Sequence, residues 1–261
     1  MKIMGVLNVT PDSFSDGGLH YDAQKAIEAG LRMHEEGADW VDVGGESTRP
    51  GAAHVDEAEE KRRVLDVVEQ LAQRGVSVSI DTRKPAVARE AVARGARFIN
   101  DVTGFSNPEM VEIAIEAKCE VCVMHMQGTP DTMQQNPHYD DVVGEVGAFL
   151  VARAKALSAA GLKVWIDPGI GFGKTLSHNI SLIRHLDRLV ATGYPVLLGV
   201  SRKALIGKIL GTVENPAPVE DRIEGSLAME AFAQLHGVAM VRVHDVRAAR
   251  RVATVIDVLH G

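Results

Sequence analysis

Side chains that can do chemistry recur where the short apolar segments of this chain end. In order along the sequence they are Asn8, Asp42, Glu46, Asp81, Asn100, Asp101, His125, Asp167, Ser201, Arg202, Lys203, Arg242 and His244. Any one of them could merely cap the helix that follows or satisfy a polar spot in the core. The joint pattern is harder to explain in that way, because the acids and amides end five different segments and none is followed at once by a helical pattern. We therefore predict that they belong to one site.

The last apolar segment carries two basic side chains on one face. Arg242 and His244 are two residues apart, so on a strand they point to the same side while Val241 and Val243 point to the other. Lys203 follows the preceding segment. This pattern predicts an anion site, since α/β barrels often bind phosphate near their last two strands.

Residues 169–175 read GIGFGKT and only superficially resemble a phosphate-binding loop. The first glycine of G-x-x-x-x-G-K-[ST] would fall at Pro168, and G-x-G-x-G is not the dinucleotide fingerprint. The glycines instead let the backbone pass close to a flat ligand above Asp167, with Phe172 offering an aromatic contact.

The elements that must position these residues repeat about every 30 residues, as a β-rich run, a polar loop and an amphipathic helix. The predicted strands read IMGVLNV, WVDVGG, VSVSID, RFIND, EVCVMH, KVWID, PVLLGV and MVRVH. The predicted helices cover 22–36, 55–74, 85–94, 108–117, 142–160, 176–190, 219–235 and 247–259. Four of them stop at a glycine, as helices commonly do: Gly37, Gly75, Gly95 and Gly161.

Eight such units without a linker predict one α/β domain over residues 1–261, a (β/α)8 TIM barrel. A doubly wound sheet of eight strands is the alternative. The barrel is favoured because it brings all eight polar strand ends to one face, where barrel enzymes build their active sites.

Composition excludes several classes of partner. The 261 residues are 46% hydrophobic and 24% charged with a net charge of −7, so nothing predicts a nucleic-acid or membrane partner. No apolar run reaches the roughly 20 residues of a membrane span and no secretory signal is visible, so we expect a cytoplasmic protein. Cys119 and Cys122 form a lone C-x-x-C inside an apolar run, which predicts packed free thiols.

Nine stretches together resemble the dihydropteroate synthases of folate biosynthesis. They are NVTPDSFSDGG (8–18), GGESTRPGA (44–52), SIDTRKP (79–85), INDVTG (99–104), MHMQGTPDTMQ (124–134), IDPGIGFGKT (166–175), GVSRKALIG (199–207), DRIEGSLA (221–228) and RVHDV (242–246). The resemblance runs from the first strand to the last, without a departure inside these stretches.

The resemblance implies a transferase that joins p-aminobenzoate to (7,8-dihydropterin-6-yl)methyl diphosphate and is a sulfonamide target. It implies that Asp81, Asn100 and Asp167 hold the polar edge of the pterin, with Lys203 on the ring carbonyl and nitrogen. The slot would be lined by Val102, Met124, Phe172 and Gly199. Arg202 is expected to pair outside the pterin edge.

The same resemblance implies a diphosphate site at Asn8, Arg242 and His244, with Mg²⁺ bound at Asn8. Arg242, His244, Lys203 and Asn8 are then the expected catalytic residues, in a dissociative mechanism that needs no protein nucleophile. Loops at about 10–20 and 46–53 would close over the pterin and contact p-aminobenzoate. The expected contacts are Phe14, Ser15, Thr48, Pro50 and Ser201.

Two other functions and one assembly state stay open at this point. A pterin-dependent methyltransferase acting on methyltetrahydrofolate would share the barrel, but it has no use for a diphosphate clamp. A non-catalytic pterin-binding paralogue would be expected to lack the Arg242 and His244 pair, which is intact. The resemblance also implies a homodimer built on the last helices, which the apolar pattern of residues 218–235 does not decide.

Overall fold

A computed structural model describes residues 1–10, 18–47, 54–129 and 132–260. Eight parallel strands form one sheet: β1 (Lys2–Asn8), β2 (Trp40–Gly44), β3 (Val78–Asp81), β4 (Phe98–Asp101), β5 (Glu120–Met124), β6 (Lys163–Asp167), β7 (Leu197–Leu198) and β8 (Met240–Val243). All eight predicted strands are present, although β7 is shorter than its apolar run PVLLGV.

The sheet closes into a barrel. Its order is β6-β5-β4-β3-β2-β1-β8-β7, so each strand lies beside its neighbour in sequence and β1 pairs with β8. The remaining seam is joined by a parallel bridge between Ile166 and Val196, where the Ile166 N–H donates to the Pro195 carbonyl at 3.0 Å. This is the predicted TIM barrel, and the doubly wound alternative is wrong.

Helices cover the outside of the barrel. They are α1 (Gly18–Glu35), α2 (Glu57–Gln73), α3 (Pro85–Ala93), α4 (Pro108–Ala117), α5 (Val142–Ala159), α6 (Leu176–Arg184), α7 (Leu186–Val190), α8 (Ala204–Leu210), α9 (Ile223–Leu235) and α10 (Val246–His260). Four helices are followed by a glycine whose own φ is positive, as predicted: Gly37, Gly75, Gly95 and Gly161. No helix in the described part of the chain is long and apolar enough to cross a membrane.

Three helix predictions need correction, and one helix was not predicted. The first helix begins at Gly18 rather than residue 22, so residues 18–20 are helical and do not belong to a loop. The helix predicted over 176–190 breaks at His185, whose φ of −115° and ψ of 33° leave the helical region. Residues 219–222 form a separate 3-10 turn before α9. Helix α8 was not predicted, because its seven residues include Gly207 and follow the polar SRK directly.

The barrel interior has an apolar floor that sets the height of the polar residues. A small buried cluster holds Met4, Phe98, Cys122, Trp165, Leu197 and Met240. Side chains two positions further along a strand point to the same side. Asn100, Asp167 and Arg242 therefore stand above Phe98, Trp165 and Met240, toward the carboxyl ends of the strands.

The remaining large core lies between strands and helices. Cys119 belongs to that outer core and Cys122 to the floor; both are buried free thiols, as predicted. Burial raises the pKa of Cys119 to about 11, so this thiol packs as a neutral group.

Candidate active site

A fully buried carboxylate, Asp42, is the centre of a hydrogen-bond network across four strands. Its Oδ1 accepts from Ser79 Oγ at 2.5 Å, and its Oδ2 accepts from Asn100 Nδ2 at 3.0 Å and Arg242 Nε at 2.6 Å. Its side chain has no exposed surface. Because the amide nitrogen of Asn100 is taken by Asp42, the amide oxygen is the atom that Asn100 presents elsewhere.

Arg242 joins the Asp42 network to the second carboxylate of the barrel. Its Nη2 donates to Asp81 Oδ2 at 2.8 Å while its Nε holds Asp42. Burial opposes the charge of the guanidinium, but the two carboxylates hold the pKa of Arg242 above its ordinary value. Nη1 has no hydrogen-bond acceptor within the described ranges, so it remains available to a bound anion.

Burial and the charge of Arg242 shift the pKa of Asp81 in opposite directions. Burial raises the pKa of Asp81 to about 7; the charge of Arg242 opposes this rise and that of Asp42 adds to it. A carboxyl group that titrates near neutrality can accept a hydrogen bond from a ring N–H or donate one. Strongly shifted pKa values of this kind cluster at functional sites.

Asp167 and Lys203 form the opposite wall. Asp167 Oδ1 accepts from the Gly169 N–H at 2.7 Å. Burial raises the pKa of Asp167, and the positive charge of Lys203 opposes that rise. Burial also lowers the pKa of Lys203 to about 8, against the attraction of Asp167. The Lys203 ammonium donates to the Ile170 carbonyl and lies 5.0 Å from the centroid of the Phe172 ring.

The residues predicted to line the slot lie at these same strand ends. Val102 and Met124 are buried, each with 5% of its surface exposed, and Phe172 is half-buried. A Cβ on Gly199 would lie 3.6 Å from Lys203 Nζ and 3.9 Å from Arg242 Cβ. Gly199 therefore places bare backbone between the cation that the resemblance assigns to the pterin ring and the cation that it assigns to the diphosphate of the same substrate.

Ser201 and His244 are brought into direct contact. The His244 N–H donates to Ser201 Oγ at 3.1 Å, and His244 Nδ1 lies 3.2 Å from the same oxygen. The sequence assigned Ser201 to p-aminobenzoate and His244 to diphosphate, whereas here one hydroxyl group joins them. A bound carboxylate that accepts a hydrogen bond from Ser201 Oγ would compete with the His244 imidazole for that O–H group.

Asn8 ends β1 at the same mouth of the barrel. Its backbone pairs with Gly44 of β2 in register with Asp81 of β3, and its side chain makes no hydrogen bond within the residues that the structure describes. Phe14, Ser15, Thr48 and Pro50 lie outside the described residues, so their predicted contacts stay predictions.

Four strand-end residues serve the scaffold. Asp101 accepts from the Thr103 and Phe105 N–H groups and so caps the loop after β4. Arg202 pairs with Asp245. Glu46 accepts hydrogen bonds from Arg83 and Lys84. Burial alone would raise the pKa of Glu46, but these bonds lower it to about 2. His125 Nδ1 lies 3.1 Å from the buried Lys174 ammonium.

The contacts of two residues were not predicted from the sequence. Asp42 appeared only as a strand-end acid, yet it orients Asn100 and Arg242. Its position two residues before Gly44 on β2 was the available signal, because it places Asp42 on the inner face. Lys174 was read only as part of a false phosphate loop, but its ammonium is buried beneath that loop.

Known proteins share this arrangement of sequence and fold. Residues 4–244 match the family model described as pterin binding enzyme. Dihydropteroate synthase of Escherichia coli (strain K12) is 47% identical over 259 residues, which are 98% of this chain and 90% of that protein.

Solved structures agree. Xanthomonas albilineans dihydropteroate synthase with 4-aminobenzoic acid superposes with a TM-score of 0.91 at 45% identity, covering 100% of this chain and 93% of that one. The same enzyme in complex with 7,8-dihydropteroate gives a TM-score of 0.88 at 43% identity, covering 100% and 94%. The chain therefore belongs to the pterin-binding enzyme family, among the dihydropteroate synthases.

Proposed function

We propose that this chain condenses (7,8-dihydropterin-6-yl)methyl diphosphate with p-aminobenzoate, giving 7,8-dihydropteroate and diphosphate. One observation carries the proposal: two carboxylates, an amide and a guanidinium are joined by hydrogen bonds at the mouth of the barrel. Buried polar groups arranged in this way suit a flat ring with donors and acceptors on one edge. The family to which the chain belongs supports the same reaction.

The pterin would lie between the Asp81 and Asp167 walls. A dihydropterin offers N–H donors on its aminopyrimidinone edge, and these need acceptors that are themselves desolvated and fixed. The oxygen atoms of Asp81, Asn100 and Asp167 meet that need, while Lys203 would exchange its bond to the Ile170 carbonyl for one to the ring carbonyl. Phe172 would cover one face of the ring beside Lys203.

The diphosphate would lie on the β1 and β8 side of the mouth. Arg242 keeps Nη1 for a phosphate oxygen while Nε and Nη2 stay on Asp42 and Asp81. The guanidinium would thereby be preorganised, so little reorganisation is needed when charge develops on the leaving group. His244 would contribute at the same end of β8.

Residues of this mouth fit a magnesium ion that takes few protein ligands. The described residues contain no group of three or more histidine, cysteine or acidic side chains that could hold a metal by themselves. Asn8 offers one amide oxygen, and Mg²⁺ commonly combines one or two protein ligands with waters and phosphate oxygens. When bound, the ion would neutralise charge on the diphosphate; Asn8 is the residue that would hold it.

The reaction would begin with loss of diphosphate. The bond between the exocyclic carbon and the diphosphate oxygen breaks, its electron pair leaves with diphosphate, and the cation is delocalised into the electron-rich dihydropterin ring. The amine of p-aminobenzoate then attacks that carbon and gives up a proton. Arg242 would favour departure electrostatically, and the pterin contacts would hold the carbon in place for attack.

The proposal is tested by the Arg242→Lys variant, which keeps a positive charge but loses the planar guanidinium whose fixed N–H groups point at two carboxylates and a phosphate oxygen. Loss of a preorganised donor to a developing anion typically costs about 100-fold or more in kcat, and we expect a loss of that size. Arg251→Lys, an exposed change on α10, is the matched control. Turnover of the Arg242 variant equal to wild type would remove Arg242 from the leaving-group role.

The dissociative step has a separate test. Ring-substituted 4-aminobenzoates with weaker amine nucleophiles should react at nearly the same kcat at saturation, since the amine attacks after the slow step. A kcat that falls in proportion to amine basicity would show that the amine takes part in the slow step.

We also propose that the chain forms a homodimer through its last helices and acts in the cytoplasm. Exposed apolar side chains on α9 and α10 support the dimer: Phe232, Leu235, Val255, Val258 and Leu259. Val258 is 78% exposed and belongs to this group of exposed apolar side chains, which is the kind of patch that marks an interaction site. Light scattering should give twice the 28.1 kDa chain mass, falling to one chain in Val258→Asp. A monomeric wild type would contradict the dimer.

A further inference from the structure

The proposed reaction leaves Lys174 without a role, although it is one of the most buried charged residues of the described chain. Only 3% of its surface is exposed. Among the described residues, no carboxylate accepts a hydrogen bond from its ammonium. Instead it lies 3.0 Å from the Gly169 carbonyl oxygen, 2.8 Å from that of Phe172, 3.2 Å from that of His125 and 3.1 Å from His125 Nδ1.

These bonds belong to a wider set that holds the loop between β6 and α6. All five consecutive carbonyl oxygens from residue 169 to residue 173 accept a hydrogen bond from a side chain. The donors are Lys174 for Gly169 and Phe172, Lys203 for Ile170, Gln134 for Gly171 and Tyr139 for Gly173. Lys174 donates to two of these carbonyl oxygens and also contacts His125, the residue after β5, so it joins the loop to the barrel.

The loop that Lys174 holds is tightly fitted and contacts groups that are proposed to bind the pterin. Gly169 has a φ of +66°, and a Cβ there would lie 1.9 Å from the His125 carbonyl oxygen. Its N–H donates to Asp167 Oδ1 at 2.7 Å. A small shift of Gly169 would therefore move the carboxylate that is proposed to bind the pterin edge, and a shift of Phe172 would move the ring beside Lys203.

We propose that Lys174 is a positioning residue: its ammonium holds the 169–173 loop against the end of β5 and so sets the geometry of Asp167 and Phe172 for a bound pterin. The inference rests on the proposed function of the site. The lysine of GIGFGKT thus faces the carbonyl oxygens of its own loop.

A protonated lysine suits this position because its ammonium group supplies three N–H donors. A neutral amine would supply two and turn its lone pair toward a carbonyl oxygen. The charged and titratable groups that face it are His125 just after β5, Asp167 from β6 and Lys203 after β7. Burial lowers the pKa of Lys174 to about 7, and the negative charge of Asp167 opposes that fall. Burial lowers the pKa of His125 to about 4, so its neutral ring can accept from Lys174.

The test is the affinity of Lys174→Met for dihydropterin-methyl diphosphate, measured without p-aminobenzoate so that no turnover occurs. Methionine has a similar length but no donor. Loss of several buried charged hydrogen bonds should raise Kd at least about tenfold. With both substrates saturating, kcat should stay within about threefold, because the groups proposed to act on the leaving group are untouched. Lys155→Met, on the exposed face of α5, is the matched control.

A second readout does not depend on pterin. Amide hydrogen exchange of the 168–175 segment should be faster in Lys174→Met than in wild type, with the rest of the barrel unchanged. If the methionine variant does not fold, Lys174→Gln, which keeps two N–H donors, is measured by the same criteria.

Two results would overturn the inference: unchanged exchange in the loop, or a Kd equal to wild type. A loss confined to kcat would overturn it as well, since it would place Lys174 in the chemical step. Failure of the wild-type protein to bind the pterin diphosphate is a different result, and it would overturn the proposed function itself.

Discussion

Replacing Asp42 by asparagine should separate the buried network from the reaction it supports. The carboxylate of Asp42 accepts from Ser79, Asn100 and Arg242, and it has no exposed surface. An asparagine offers one acceptor oxygen in its place, so its own NH₂ group must face at least one of those three donors. Arg242 would then keep Asp81 as its remaining charged partner.

The expected loss of stability follows from the contacts of Asp42 that an asparagine cannot replace. Breaking a buried charge pair costs about 3–5 kcal/mol, and the retained Asp81 pair places Asp42→Asn near the lower end. A loss of about 3 kcal/mol leaves an ordinary domain folded at 25 °C, because such domains unfold with roughly 5–15 kcal/mol. Pterin affinity should fall as well, since the amide of Asn100 is no longer fixed with its oxygen outward.

Urea unfolding gives the free energy, and titration with dihydropterin-methyl diphosphate gives the affinity. Asp66→Asn on α2 is the control, because Asp66 is exposed and its replacement should change stability by less than about 0.5 kcal/mol. A loss of less than about 1 kcal/mol in Asp42→Asn, together with unchanged affinity, would refute the view that Asp42 orients the site.

Two further predictions concern a glycine and a buried acid. Gly169→Ala should abolish pterin binding and lower Tm far more than Gly75→Ala, because its Cβ would meet the His125 carbonyl at 1.9 Å whereas that of Gly75 meets nothing within 4 Å; equal losses would show that positive φ alone sets the cost. Burial raises the pKa of Glu230 from 4.5 to about 8, so the folded protein holds a proton that the unfolded chain releases, and unfolding free energy should fall as pH rises from 4.5 to 8. Glu230→Gln removes this dependence and should be at least about 1 kcal/mol more stable than wild type at pH 8 but not at pH 4.5; parallel curves for the two proteins would contradict it.

Much of the fold was accessible from the sequence because strand and helix patterns repeat with clear punctuation. Apolar runs followed by polar residues marked all eight strands, and glycines such as Gly95 marked helix ends. The break at His185 and the short helix α8 were missed, since local backbone turns of this kind leave no change in hydrophobic period.

The site was predictable in position but not in its pairings. Side-chain alternation places Asn100 and Arg242 on the inner face of their strands. It does not show that Arg242 reaches Asp42, 200 residues away along the chain, because that contact depends on the register of the closed barrel. The sequence also does not show where the Lys174 side chain points, because that depends on the turns of a glycine-rich loop.

The central claim is that this site couples loss of diphosphate to formation of dihydropteroate. The most direct measurement gives the purified protein dihydropterin-methyl diphosphate and Mg²⁺ and follows diphosphate release with and without p-aminobenzoate. The account predicts sustained release only with p-aminobenzoate, because the amine traps the cation before diphosphate recombines with it, and one dihydropteroate is formed for each diphosphate. Tight binding of the pterin without any product would contradict it and indicate a pterin-binding protein that lacks the chemistry.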